Sequence, residues 1–222
     1  SFTGSDVINK NEKYEIEIEV NNKLLKDNKV TQETLGKSLK KVIKFVLSGL
    51  QSTNFPVSIS EQENVKTEYM SILFPNSQGN KNKPSFIGPS SYTLQQENIV
   101  KQKNIDGEEK THPPNIRVDY TVTDKADGDR KLMFISKNRR IYLIDINMNV
   151  QFTGTITKND QYGGTLMDGE HIKYDKNGEY INLYAVFDIY YLKKKDIRGK
   201  PFYKSKSEDS SHYRHYNIKE TL

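Results

Sequence analysis

The chain has 222 residues, enough for one full domain or for one domain with a piece of another. It contains no cysteine, which excludes disulfides, thiolate metal sites and cysteine nucleophiles. The formal net charge of +5 suits an anionic partner such as RNA or a nucleoside triphosphate, and it suits a solvated basic surface equally well.

Hydrophobic residues make up only 34% of the chain, yet they cluster into periodic runs, so a globular chain with polar connections is expected. No apolar run approaches the ~20 residues of a membrane span, and the N-terminus lacks a signal-peptide pattern. A soluble intracellular protein without a membrane partner is the expectation. The chain opens on Ser1 rather than Met, so a segment of a longer protein is expected.

Tyr14 to Val20 alternates strictly between carboxylates and apolar residues, which predicts a strand. Glu15, Glu17 and Glu19 then share one face. Such a row is either an exposed edge kept soluble by charge or a set of oxygen ligands for a divalent cation. Between Thr31 and Leu50 an apolar stripe (Leu35, Leu39, Val42, Ile43, Val46, Leu47, Leu50) recurs at helical spacing, with Thr31 placed to cap it. Val57–Ile59 and Tyr69–Phe74 read as short strands.

Asn76 to Lys83, followed by Pro84, is a polar loop, and a domain boundary is expected in or before it. Thr93 and Gln96 form a capping-box pattern that predicts a short helix from Leu94. From Val118 onward strands dominate: Val118–Thr123, Lys131–Ser136, Ile141–Ile146, Val150–Thr153, Thr165–Tyr174 and Tyr180–Leu192. The Asn177-Gly178 pair is a strong hairpin signal between the last two. No βαβ alternation is present, so a mostly antiparallel sheet of at least five strands is expected, with a closing helix over Tyr213–Leu222.

The stretch Lys125-Ala126-Asp127-Gly128-Asp129-Arg130 has the spacing K-x-D-G-x-R and reads as a tight acidic turn between two strands. Gly128 permits close backbone approach, Asp127 can orient the turn, and Arg130 can hydrogen-bond a sugar or phosphate. Lys125 is the candidate nucleophile. A lysine amine attacks only when neutral, so neighbouring cations or burial must lower its pKa. The plain alternative is an exposed turn. Downstream, Asp168-Gly169-Glu170 offers a carboxylate for a ribose hydroxyl or a metal, or is a simple surface turn. Phe187, before Asp188, can stack on a base or belong to the core.

Taken in order, these motifs resemble the covalent nucleotidyltransferases, which comprise mRNA capping guanylyltransferases and ATP-dependent polynucleotide ligases. The Lys125 turn is similar to their motif I, Asp168-Gly169-Glu170 to motif III, Phe187-Asp188-Ile189 to motif IIIa, and Ile141 to Phe152 to motif Ia. Capping enzymes often carry an arginine after the Ile-Asp of motif Ia; this chain has Ile146 there, with Arg139 and Arg140 nearby. Phe86-Ile87-Gly88-Pro89 with Thr93-Leu94 resembles the segment before motif I in large viral capping enzymes. Glu15 to Glu19 resembles the Glu-x-Glu-x-Glu strand of a triphosphate-tunnel RNA 5′-triphosphatase. Motifs IV and V and an OB domain are not found.

The resemblance implies an α+β fold, mostly antiparallel and ligase-like (ATP-grasp-like). Residues 1–75 would carry the end of a triphosphatase domain with its connecting helix, and residues 76–222 the first part of the guanylyltransferase domain. It implies a lysyl-GMP intermediate on Lys125, with Asp127, Gly128, Arg130, Glu170 and Phe187 binding the nucleotide and Glu15, Glu17 and Glu19 binding metal. GTP is the implied substrate, Mg2+ or Mn2+ the cofactor, and the 5′ end of nascent mRNA the acceptor. A methyltransferase domain or subunit is an implied partner, and the cytoplasm or virion the implied location. An ATP-dependent ligase and a non-catalytic RNA-binding module with this fold are the alternatives.

Overall fold

Alternating apolar residues from Asp129 onward form the central sheet. A computed structural model describes residues 15–21, 23, 30–75, 83–100, 115–117, 120–203 and 210–222. The chain divides into two units, residues 1–46 and 47–222.

In the first unit, residues 15–20 adopt no regular structure, and Glu15, Glu17 and Glu19 are exposed. This corrects the strand expected there. Period-two alternation makes a strand only when a neighbour pairs with it, and no paired strand accompanies these residues among those described; Tyr14 lies outside them. Helix α1 (Gln32–Gln51) spans the expected helix and continues into the second unit. None of its residues is buried.

The second unit contains helix α2 (Ile59–Leu73), strands β1 (Asp129–Ile135), β2 (Arg140–Asp145), β3 (Val150–Ile156), β4 (Thr165–Tyr174), β5 (Tyr180–Leu192) and β6 (Lys195–Asp196), and helix α3 (Arg214–Thr221). The strands form one six-stranded sheet in the order β3-β2-β1-β4-β5-β6, antiparallel throughout. The β4–β5 connection is the expected Asn177-Gly178 turn. Gly178 takes φ +83°, and Asp175 Oδ1 accepts from the backbone N–H groups of Asn177 and Glu179.

Helix α2 replaces the two short strands read at Val57–Ile59 and Tyr69–Phe74. Val65, Tyr69 and Ile72 lie at helical spacing and are buried, and the Ser58 hydroxyl caps the start by accepting from the Glu61 N–H at 3.1 Å. The polar run between the two apolar fragments supplies the helix's outer face, so each fragment alone misleads. α2 packs against Leu132, Phe134, Tyr142, Ile144, Phe152 and Leu166. The opposite face of the sheet (Met133, Ile135, Leu143, Met167, Ile189) shares a second core with Ile218 of α3. Residues 57–73 thus belong to the sheet's own unit, upstream of the loop at which composition suggests a boundary.

Two further expectations change. Residues 120–127 have no regular structure, and Val122 is fully exposed, so the expected strand Val118–Thr123 does not form over its described residues. The neighbouring strands begin to pair with the chain only at Asp129 and Lys131, which leaves the alternation before them nothing to bury against. Lys125 therefore stands on a loop leading into β1, not in a turn between two strands. The helix expected from Leu94 is reduced to a 3₁₀ turn, Gln96–Asn98, anchored by buried Asn98, whose Oδ1 accepts from the Gln95 N–H at 2.8 Å.

Candidate active site

The registers of β1 and β4 bring the separate motifs onto one face. Arg130 pairs with Glu170 and Leu132 with Asp168, so Arg130, Glu170 and Asp168 project to the same side. Two glycines make the close approach possible. A Cβ on Gly128 would sit 2.7 Å from the His171 carbonyl oxygen, and one on Gly169 would sit 2.5 Å from the Ala185 oxygen.

Asp168 is wholly buried. It accepts from Arg130 Nε at 3.1 Å and Nη2 at 2.5 Å, a forked ion pair, and also from the Tyr190 hydroxyl. Burial pushes the Tyr190 hydroxyl well above its ordinary pKa, and the Asp168 carboxylate pushes it further. Arg130 Nη1 donates to the Pro89 carbonyl at 2.6 Å. The Pro89 segment is itself pinned by buried Tyr69, whose hydroxyl donates to the Ser85 carbonyl at 2.8 Å and accepts from the Ile87 N–H at 3.3 Å.

Phe187 reaches this cluster through an irregularity. Asp168 pairs with Asp188 but Gly169 pairs with Val186, so Phe187 is an extra residue in β5. Its ring centroid lies 5.8 Å from the Arg130 guanidinium carbon, and that of Phe86 lies 5.5 Å away. Asp188 serves the scaffold: it accepts from Arg214 Nε at 2.8 Å and Nη2 at 3.1 Å, tying α3 to the sheet.

Glu170 is partly buried, and its Oε2 has no hydrogen-bond partner. Burial raises its pKa, the positive charges of Lys125 and Arg130 oppose the rise, and the negative charges of Asp168 and Asp127 add to it. Lys125 and Asp127 are exposed on the loop beside it. The arrangement thus offers an amine, an orphaned carboxylate oxygen, a fixed guanidinium and an aromatic ring within one neighbourhood.

A model of the "mRNA capping enzyme, catalytic domain" family matches residues 109–207, which include Lys125 and every strand of the sheet. The chain is also 30% identical over 186 residues to the "Probable mRNA-capping enzyme" of Acanthamoeba polyphaga mimivirus. That match covers 83% of this chain. The stretch 109–207 thus carries the mRNA capping enzyme catalytic-domain pattern. The chain spans 13% of the length of its mimivirus relative.

Of the two arginines near motif Ia, Arg140 pairs with Glu61 at 2.7 Å and lies 3.8 Å from the Phe152 ring centre, and Arg139 is exposed on the β1–β2 turn; Ile146 is exposed on the β2–β3 turn. Glu15, Glu17 and Glu19 lie in the other unit, and no group of three or more potential ligands is set to hold a metal among the described residues. No described helix is long and apolar enough to cross a membrane.

Two concave surfaces of the second unit lie apart from the Lys125, Arg130, Glu170 and Phe187 cluster. One, of about 860 Å³, is bordered by Glu61, Glu68 and Lys137; the other, of about 900 Å³, by Gln151, His171 and Tyr184. Neither carries Lys125, Arg130, Glu170 or Phe187, whose convergence of charge identifies the site better than concavity does. Sequence reading missed Tyr190, Phe86 and the Pro89 carbonyl as parts of this site. Phe86 and Pro89 lie in the segment that resembles the one before motif I, though that resemblance gives them no role in the site, and Tyr190 has no signal beyond its strand.

Proposed function

We propose that this chain carries the nucleotidyl-transfer core of an mRNA guanylyltransferase. The observation that supports it best is the meeting of Lys125, Arg130, Glu170 and Phe187 around the buried Asp168. In this reading the Lys125 amine, once deprotonated, attacks the α-phosphorus of GTP. A P–N bond forms, the bond to the β-phosphate bridging oxygen breaks, and pyrophosphate leaves. The lysyl-GMP then passes its guanylate to the terminal phosphate of a 5′-diphosphate RNA, restoring the amine.

Each residue has a physical task. Gly128 lets the loop close onto β4, Asp127 stands beside Lys125, Arg130 and Glu170 hold the ribose, and Phe187 offers a ring face to guanine. The orphaned Glu170 Oε2 suits a ribose hydroxyl, and the exposed Asp127 carboxylate would help bind Mg2+ or Mn2+ brought by the nucleotide's phosphates. Such an ion would neutralise phosphate charge as pyrophosphate departs.

The decisive experiment incubates the intact protein with α-labelled GTP or ATP. An acid-labile, alkali-stable adduct with GMP is expected, and it disappears in Lys125→Ala. An adduct with AMP alone would point to a ligase, and no adduct with either would point to a binding module.

A second activity is inferred from the resemblance of Glu15 to Glu19 to a triphosphate-tunnel strand. Glu15, Glu17 and Glu19 are assigned to an RNA 5′-triphosphatase part of the whole protein, as ligands for a divalent cation. Metal-dependent phosphate release from 5′-triphosphate RNA is expected, and it falls at least tenfold in Glu17→Ala. Release that is unchanged in this variant would remove the assignment.

A further inference from the structure

We propose that Asp168 and Tyr190 are positioning residues that hold Arg130 as a charge-neutralised pair of donors, and that they thereby set the sugar selectivity of the site without touching the nucleotide. The inference rests on the reading that this face takes a nucleotide.

A free arginine has five N–H donors, a mobile stem and a full charge, properties that favour phosphate. Arg130 is different. Nε and Nη2 are forked onto Asp168, and one Nη1 hydrogen is held by the Pro89 carbonyl. Two N–H groups remain, on a guanidinium whose charge Asp168 already balances. Asp168 is fixed in turn, because it is fully buried and its Oδ2 also accepts from Tyr190. Burial keeps the Tyr190 hydroxyl protonated and donating. The Phe86 and Phe187 rings, at 5.5 and 5.8 Å, crowd the guanidinium further.

Directly across the strand pair, Glu170 presents Oε2 without a partner. A neutral donor pair beside an orphaned acceptor matches a hydroxyl, which both accepts and donates. A nucleotide lacking that hydroxyl leaves both sides unmatched, and sites of this kind discriminate strongly against such analogues.

The test measures equilibrium binding of GTP, 2′-deoxyGTP and 3′-deoxyGTP to the intact protein and to Tyr190→Phe, with thermal melting as the control for folding. The wild type is expected to prefer GTP over at least one deoxy analogue by roughly tenfold or more. Tyr190→Phe is expected to shrink that preference several-fold, with GTP binding weakened more than binding of the deoxy analogue. Arg130→Lys keeps the charge but cannot fork onto Asp168, and it is expected to lose the preference almost entirely. A preference unchanged in both variants would overturn the inference, as would equal weakening of all three nucleotides. Wild-type binding without any sugar preference would overturn this inference alone, whereas failure to bind any of the three would overturn the nucleotide reading and the inference with it.

Discussion

Two lysines six positions apart show how differently one short stretch can treat the same side chain. Lys125 is exposed on the irregular approach to β1, next to the orphaned carboxylate of Glu170. Lys131 sits inside β1 on the opposite face, half-buried, and hydrogen-bonds Gln151 Oε1 at 3.1 Å and His171 Nδ1 at 3.3 Å, with Asp129 and Asp145 near enough to favour its charge. Burial, with the nearby Lys173 charge, lowers the Lys131 pKa. A search for a reactive lysine by depressed pKa alone would choose Lys131. The surroundings argue otherwise, since among the described residues no orphaned acceptor or fixed guanidinium accompanies it. A lowered pKa marks an unfavourable place for charge, whereas a site needs groups left free for a substrate.

The largest expected effect separates the two lysines. Lys125→Ala should abolish the nucleotide adduct, while Lys131→Met should retain it, with peptide mapping placing the guanylate on Lys125. An adduct on Lys131 would reverse the comparison. Next comes the close approach that both faces depend on. Gly169→Ala forces a methyl within 2.5 Å of the Ala185 oxygen, on backbone that has no flexible end to yield. A loss of about 3 kcal/mol or more in denaturant unfolding is expected.

A smaller effect probes the scaffold behind the site. Asp188→Ala strips Arg214 of its partly buried carboxylate and should cost about 2 kcal/mol by chemical denaturation, with adduct formation at saturating GTP retained. The smallest concerns pH and belongs to the Lys131 face. His171 is buried; Lys131 donates to Nδ1, so Nε2 carries the proton and donates to Asn182 Oδ1 at 2.9 Å. Burial lowers its pKa below the ordinary 6.5, and the Lys131 and Lys173 charges reinforce that shift. A group depressed in the folded state contributes stability that is complete above pH 6.5 and is lost as pH falls toward its folded value. Melting temperature should therefore decline below pH 6.5, and His171→Gln should flatten that decline.

Much of the sheet was legible in the sequence, because period-two alternation and Asn177-Gly178 are local signals. Helix α2 was not, because its buried positions Val65, Tyr69 and Ile72 are separated by polar residues and emerge only at helical spacing. The loop before β1 was misread for the opposite reason: Tyr120 and Val122 alternate but have no partner strand. The candidate residues Arg130, Glu170 and Phe187 do come together. Their supports were hidden. Tyr190 reaches Asp168 from the neighbouring strand, and an extra residue in β5 accounts for the position of Phe187. Neither follows from spacing within one segment.

The tether from Tyr69 through Ser85 and Ile87 to Pro89 has a practical consequence for dissecting this protein. A recombinant fragment begun at residue 90 would retain the whole sheet and every motif residue from Lys125 to Phe187. It would also lose the carbonyl that holds Arg130 and the helix that covers the Phe134 face. The smallest piece worth expressing for nucleotide chemistry therefore begins upstream of Ser58, well before the Lys125 motif.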